Sequence, residues 1–281
     1  MNNEEKEYDK KEIIGKSVFY HGSHNDRVYI SSLKAEDTTA LLEKIDILTN
    51  KNLYSKVIAK VPQNIKEIFE LHNYVEEAAI PSFINGVEDV FFMSKYVDPK
   101  RKTIFEEVNN EIKHILKICE ESNDTAENNT KCEILRLDKE KLKDLAGLYK
   151  KVFISYPFPI FDIDYLEKTM DYVYYYGIYQ NGNLVSAASS EIDFENKNAE
   201  MTDFATDPKF RGKGYASLLL TKMECDMESN GIKTLYTIAR AISPGMNIVF
   251  SKRNYNYAGT LPNNTNISGN IECMNIWYKN I

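Results

Sequence analysis

Thr202-Asp-Phe-Ala-Thr-Asp-Pro-Lys-Phe-Arg-Gly-Lys-Gly-Tyr-Ala216 carries more structural information than any other stretch of this chain. It reads as a strand, a proline turn, a glycine-rich loop and the first turn of a helix. A helix N-terminus holds N–H groups without intrahelical acceptors and a partial positive charge. Glycines just before it let backbone amides come close to an anion. The stretch is not a P-loop, because no Lys-Ser/Thr pair follows at the required spacing. It is not a dinucleotide fingerprint, because Arg211 stands in place of the first glycine. The segment from Tyr215 to Ser229 predicts an amphipathic helix. Leu219, Met223 and Met227 recur every four residues with Ala216 and Leu220 beside them, and Gly231 sits where a C-cap glycine belongs.

Working outward, the order of elements around this stretch is regular. Cys132 to Leu137 predicts a short strand, Lys141 to Phe153 a helix, and Tyr156-Pro-Phe-Pro159 a break. A second helix follows over Asp164 to Asp171. Strands at Tyr174–Gln180 and Leu184–Ile192 form a hairpin about Asn181-Gly182. After the strand at Ala199–Thr206 and the long helix come a strand at Thr234–Ala239, a helix at Gly245–Arg253 and two closing strands. Upstream, the polar run Glu120 to Lys131 predicts a linker. The chain therefore divides into a flexible tail (1–12), a first half (13–130) and a second half (131–281).

The first half echoes the second. Tyr74, Pro81 and Met93 have the spacing of Tyr255, Pro262 and Met274. Ile58-Ala-Lys60 parallels Ile238-Ala-Arg240, and Asn64 to His72 parallels the helix at Gly245–Arg253. The helix predicted at Ala40–Asn50 has no glycine-rich loop before it. The first half thus reads as a degenerate copy of the second.

Composition narrows the function. The 281 residues carry a formal net charge of -7, which disfavours nucleic acid as partner, since phosphate neutralisation needs a basic surface. Four scattered cysteines form no C-x-x-C, which argues against a disulfide framework or zinc site and for a reducing, cytoplasmic setting. The pair His21 and His24 lacks a third clustered ligand, so no metal is expected. No stretch has the length of a membrane span. A small-molecule partner is expected, and a homodimer is compatible with the sequence.

Arg211, Gly214 and Ala216 fit the Arg/Gln-x-x-Gly-x-Gly/Ala signature of the GCN5-related N-acetyltransferases (GNAT), and the element order from Cys132 to Ile281 resembles theirs. The resemblance implies an α/β fold, a mixed and mostly antiparallel sheet flanked by helices. Six further segments resemble the β-lysine N6-acetyltransferases: Tyr20 to Tyr29, Phe92 to Tyr96, Tyr156 to Pro159, Met201 to Thr206, Ala239 to Asn247 and Met274 to Lys279. That family acetylates the terminal amine of β-lysine (3,6-diaminohexanoate), giving a neutral compatible solute. Two alternatives keep the fold: a different acceptor, such as a polyamine or α-lysine, or a non-catalytic coenzyme A sensor.

Several site residues follow from the resemblance. Phe204, Ala205 and Thr206 would meet the pantetheine arm and the carbonyl oxygen of acetyl-CoA. Arg211, Gly212, Lys213, Gly214, Tyr215, Ala216 and Ser217 would hold its pyrophosphate, and Ser243 and Asn247 would bond the arm. An amine must lose a proton before attack, which a carboxylate can take. Glu200 and Asp203 compete for that role. Strict alternation puts them on opposite faces, whereas the bulge found in related proteins would shift the parity. Many relatives carry a tyrosine that protonates the thiolate, and here Phe250 aligns with it, leaving Tyr257, Tyr236 or water, or a thiolate that departs unassisted. For the acceptor, Arg240 is a candidate for the carboxylate, Asp162, Glu191 and Asp193 for the ammonium, and Tyr156 and Phe158 for a wall over the aliphatic chain.

Overall fold

A computed structural model describes residues 8–122 and 132–281. One sheet of 13 strands runs through the described residues. The first half contributes β1 (Lys10–Ile14), β2 (Ser17–Gly22), β3 (Arg27–Ser32), α1 (Thr38–Asn52), β4 (Lys56–Pro62), α2 (Lys66–Leu71), β5 (Val75–Ile84), β6 (Glu88–Tyr96) and α3 (Glu106–Glu121). The second contributes β7 (Ile134–Arg136), α4 (Leu142–Val152), α5 (Ile163–Thr169), β8 (Val173–Gln180), β9 (Asn183–Asp193), β10 (Asn198–Thr206), α6 (Tyr215–Ser229), β11 (Thr234–Arg240), α7 (Pro244–Lys252), β12 (Asn256–Ile267) and β13 (Asn270–Asn280). The expected elements of the second half are all present, with ends shifted by a residue or two. Lys10 to Glu12, expected in a tail, instead pair with His21 to Phe19 as part of β1. Of the expected linker, Glu120 and Glu121 close α3, and residues 123–131 lie outside the described set.

Strand order is β1-β2-β3-β4-β6-β5-β12-β13-β11-β10-β9-β8-β7. Read from the central β5–β12 junction, the two arms match. In each arm a parallel pair (β3–β4, β10–β11) is followed by an antiparallel strand and a bulged hairpin. The bulges themselves coincide: Glu76/Ala78 and Ile80/Ile84 in β5 correspond to Tyr257/Gly259 and Leu261/Thr265 in β12. Phe69 meets Tyr74 edge-on at 4.9 Å, as Phe250 meets Tyr255 at 5.0 Å.

The expected echo needs one correction. Tyr74/Tyr255 and Pro81/Pro262 are equivalent, but Met93 corresponds to Trp277, not Met274. The reason lies at the hairpin tip. Three residues separate the paired Ile84 and Glu88, and six separate Thr265 and Glu272, so the register moves by three between the strands of each hairpin. The same shift carries Ile58 onto Tyr236 rather than Ile238, since both face the third-strand positions equivalent in β6 and β13.

Each arm packs helices on its outer face. In α6, Leu219, Leu220, Met223 and Met227 are fully buried against the sheet, each worth about 1.5–3 kcal/mol of burial. Helices α1 and α2 cover the first arm, and α4 and α5 cover the far side of the second. Helix α3, though part of the first half in sequence, adds Ile115 and Cys119 to the core beneath α6 and α7.

The arms are fastened at β12. Its bulge leaves the carbonyls of Pro262, Asn263 and Asn264 off the regular ladder with β13. Three cations of the first half take them in turn: Lys56 Nζ bonds Pro262 O (2.8 Å), Arg101 Nε bonds Asn263 O (2.8 Å) and Arg27 Nη1 bonds Asn264 O (2.6 Å). Lys56 is fully buried. Desolvation lowers its pKa to about 8 even though Glu77, 3.2 Å away, opposes that shift. His21 bonds Tyr54 Oη (3.0 Å) and Glu12 (3.1 Å), which accounts for both ring nitrogens.

Candidate active site

The site begins where two strands part. β10 and β11 pair in parallel only at Asn198↔Thr234, Ala199↔Leu235 and Glu200↔Tyr236. Beyond Glu200, β10 stays with β9 and β11 stays with β13. A wedge opens between them, walled by Phe204, Ala239, Ser243, Met246 and Phe250. Unpaired strand edges of this kind accept an extended ligand as an added strand. Past the end of β10, Gly212 (φ 78°) and Gly214 (φ 75°) take left-handed conformations that favour glycine. The first α6 hydrogen bond runs from Leu218 N to Gly214 O (3.1 Å), so the N–H groups of Tyr215, Ala216 and Ser217 have no acceptor within the helix. Residues 211–214 are exposed. Arg211 Nε reaches back to Thr206 O at 3.4 Å, and the Lys213 ammonium lies over the Phe210 ring. Loop amides, a helix N-terminus and two cations thus converge at the mouth of the wedge, which suits a diphosphate.

At its inner end the wedge meets a cavity of about 130 Å³ lying between the two arms. A water needs about 10–15 Å³ on this measure, so a small organic molecule fits. Glu200, Thr202 and Asp203 all line it. The parity question is settled by a bulge between Thr202 and Ala205, where Asp203 takes φ 55° and turns to the same side as Glu200. Glu200 sits directly opposite Glu191 in the β9–β10 ladder. Desolvation, and then the Glu191 charge, push its pKa up to about 7, against the opposing pull of Lys60. Glu191 is exposed by surface area, but that surface is cavity wall, and enclosure by protein raises its pKa too. Asp203 is differently placed. Its oxygens accept from Tyr156 Oη and from Ser189 Oγ (2.5 Å). Burial raises its pKa while those hydroxyls hold it down. Phe158 lines the cavity beside Tyr156 and meets Tyr20 edge-on at 5.3 Å.

The description "Acetyltransferase (GNAT) family" belongs to the family model that matches residues 140–244. The β-lysine N6-acetyltransferase of Methanococcus maripaludis is 42% identical over 277 residues, covering 95% of this chain and 97% of that protein. This chain belongs to the GNAT acetyltransferase family. The β-lysine N6-acetyltransferase of Methanosarcina mazei is 32% identical over 248 residues, covering 80% of this chain and 90% of that one. Among solved structures, the Escherichia coli ribosomal-protein-S18-alanine N-acetyltransferase overlays with TM-score 0.47 and 18% identity, over 54% of this chain and 94% of that one. As a GNAT N-acetyltransferase, the protein takes its acetyl group from acetyl-CoA.

Other expected site residues of this acetyltransferase turn out to have structural work. Asn247 is buried, donating to Arg240 O (3.0 Å) and Ser243 O (2.8 Å) and accepting from Asn275 and Trp277 (both 2.9 Å). An amide has two donors and one acceptor oxygen with two lone pairs, so nothing is left for a coenzyme arm. Ser243 does line the wedge. Arg240 is held by Glu272 through two bonds of 2.8 and 2.6 Å and lines the wedge rather than the cavity that holds Glu200. Asp162 caps α5 by accepting from Asp164 N (2.9 Å), and Asp193 accepts from Asn196 N (2.9 Å). Phe250 is buried edge-on to Phe204 at 5.6 Å. Tyr257 Oη sits 2.6 Å from Thr260 Oγ1. Desolvation holds the Tyr156 and Tyr236 phenols well above 10, far over a thiol near ~8.5.

Sequence reasoning missed the opposite wall. Tyr20, Tyr29 and Lys60 of the first half line the same cavity. Their one signal was the likeness of the Tyr20–Tyr29 segment to a known family, which named no role. The matched ladders explain their place: the row Tyr20–Tyr29–Ile58 across β2, β3 and β4 corresponds to Glu191–Glu200–Tyr236 across β9, β10 and β11.

Proposed function

We propose that this acetyltransferase moves the acetyl group of acetyl-CoA to the N6 amine of β-lysine, giving N6-acetyl-β-lysine. One observation carries the reading: the cavity is built from both halves, and the identity to a β-lysine N6-acetyltransferase runs through both. A likeness confined to the catalytic half would speak for acyl transfer alone. Residues 131–281 form the catalytic domain in this reading, and the preceding half is a degenerate copy that closes the acceptor cavity.

Glu200 takes the proton of the attacking ammonium. A carboxylate with a pKa near 7 is half in its basic form at neutral pH, the range in which general bases work well. The freed amine forms the C–N bond, the C–S bond breaks, and the proton that the nitrogen sheds passes through water to the thiolate. Asp203, whose oxygens accept from Tyr156 and Ser189, holds the acceptor ammonium beside Glu200. Backbone donors of Phe204 to Thr206 face the developing oxyanion. Residues Arg211 to Ser217 hold the diphosphate.

The test is a panel of amines with acetyl-CoA and purified protein, following thiol release. The reading expects kcat/KM for β-lysine to exceed that for α-lysine and for spermidine at least ~10-fold, the size of one lost polar contact. Preference for either of those, or saturable coenzyme binding with no turnover, would refute it.

A further inference from the structure

Lys60 is a cation on the cavity wall. It projects from β4, in the half without the glycine-rich loop. Its Nζ donates to Tyr236 Oη at 3.0 Å and stands 5.3 Å from the centre of that ring. Among the described residues, no carboxylate oxygen comes within 4.0 Å of it. An ammonium has three donors, so two point elsewhere. Glu191 and Glu200 both feel its charge, yet neither closes on it. Cavity walls favour paired charges, and an acid and a base held apart across an open space suit a guest bearing both signs.

The position along the cavity fits such a guest. Tyr156 and Asp203 border the wedge that receives the acyl donor, whereas Lys60, Glu191 and Tyr20 border the opposite opening. The reacting amine belongs at the first end, so the remote end of the acceptor reaches the second. Arg27, the other cation on this wall, is anchored to β12, where both hydrogens of its Nη1 go to Asn264 O and Thr265 Oγ1.

We propose that Lys60 and Glu191 together read a zwitterionic head on the acceptor, Lys60 pairing its carboxylate and Glu191 the ammonium next to it. The inference rests on the β-lysine reading and assigns its selectivity to both arms of the molecule. It makes Lys60 a specificity residue supplied by the degenerate half.

Three acceptors separate the two contacts. 6-Aminohexanoate keeps the carboxylate and the reacting amine but lacks the second ammonium. 1,4-Diaminopentane keeps both amines and lacks the carboxylate. In Lys60→Met, the kcat/KM ratio of β-lysine to 1,4-diaminopentane should fall about 10- to 100-fold, as for one lost charge-assisted hydrogen bond. In Glu191→Gln, the ratio of β-lysine to 6-aminohexanoate should fall by a similar factor. Lys60→Arg, which keeps the charge, should hold the first ratio close to that of the unaltered protein and so exclude misfolding as the cause. A first ratio unchanged by Lys60→Met overturns the inference while leaving β-lysine as substrate. Failure of the unaltered enzyme to turn over β-lysine overturns the acceptor reading and takes this inference with it.

Discussion

A carboxyl that faces a second carboxyl across a strand pair, away from bulk water, cannot keep its ordinary pKa. Glu200 meets both conditions, and its value moves from the usual 4.5 to about 7. The sign of the consequence is fixed. A base works when deprotonated, so kcat/KM for the acceptor should rise with pH through about 7 and level off above it. Glu200→Gln should lose that inflection and drop about 10²–10⁴-fold at neutral pH. A pH–rate profile retaining the inflection in the variant would remove Glu200 from the role. At this scale the sequence was partly legible. The family resemblance pointed to both acids, but their parity was not readable. It depends on Asp203 adopting a positive φ that no hydrophobic alternation announces. Arg240 and Asn247 looked available only because their partners, Glu272, Asn275 and Trp277, arrive from a strand late in the chain.

At the scale of elements, the wedge and the arm junction are both products of interrupted pairing. β10 and β11 separate after three paired positions. β5 and β12 meet at the pairing Gly259↔Ala78. A Cβ at Gly259 would lie 2.2 Å from Glu77 O and 2.8 Å from Ala78 Cβ, so only glycine permits that approach. Glu77 in turn anchors Lys56, whose ammonium holds Pro262 O. Gly259→Ala should therefore cost ~1–3 kcal/mol, the usual range for overpacking. Chemical denaturation reads this directly, and an unchanged midpoint would show that the junction tolerates the extra atom. The helices and hairpins around the motif were legible because their periodicities are strong. The repeat was legible at Tyr74/Tyr255 and Pro81/Pro262, then lost where the second hairpin is three residues longer at its tip. A change in hairpin length leaves no mark on composition.

At the scale of the whole molecule, two matched arms meet so that one supplies the chemistry and the other completes the pocket. The equivalence of Tyr20 and Tyr29 with Glu191 and Glu200 places phenols opposite carboxylates. At these positions one wall carries carboxylates and the other phenols, with Lys60 supplying that second wall's charge. Such a pairing was invisible from sequence, because contacts such as Lys60 to Tyr236 join segments brought together only by the central junction. No helix among the described residues is long and apolar enough to cross a membrane. The most direct test is a crystal structure with coenzyme A and β-lysine bound together. The account predicts the diphosphate at residues 211–217, the N6 amine within hydrogen-bonding reach of Glu200, and the acceptor enclosed between the arms. An acceptor bound outside that cavity, or a diphosphate away from the α6 N-terminus, would contradict it.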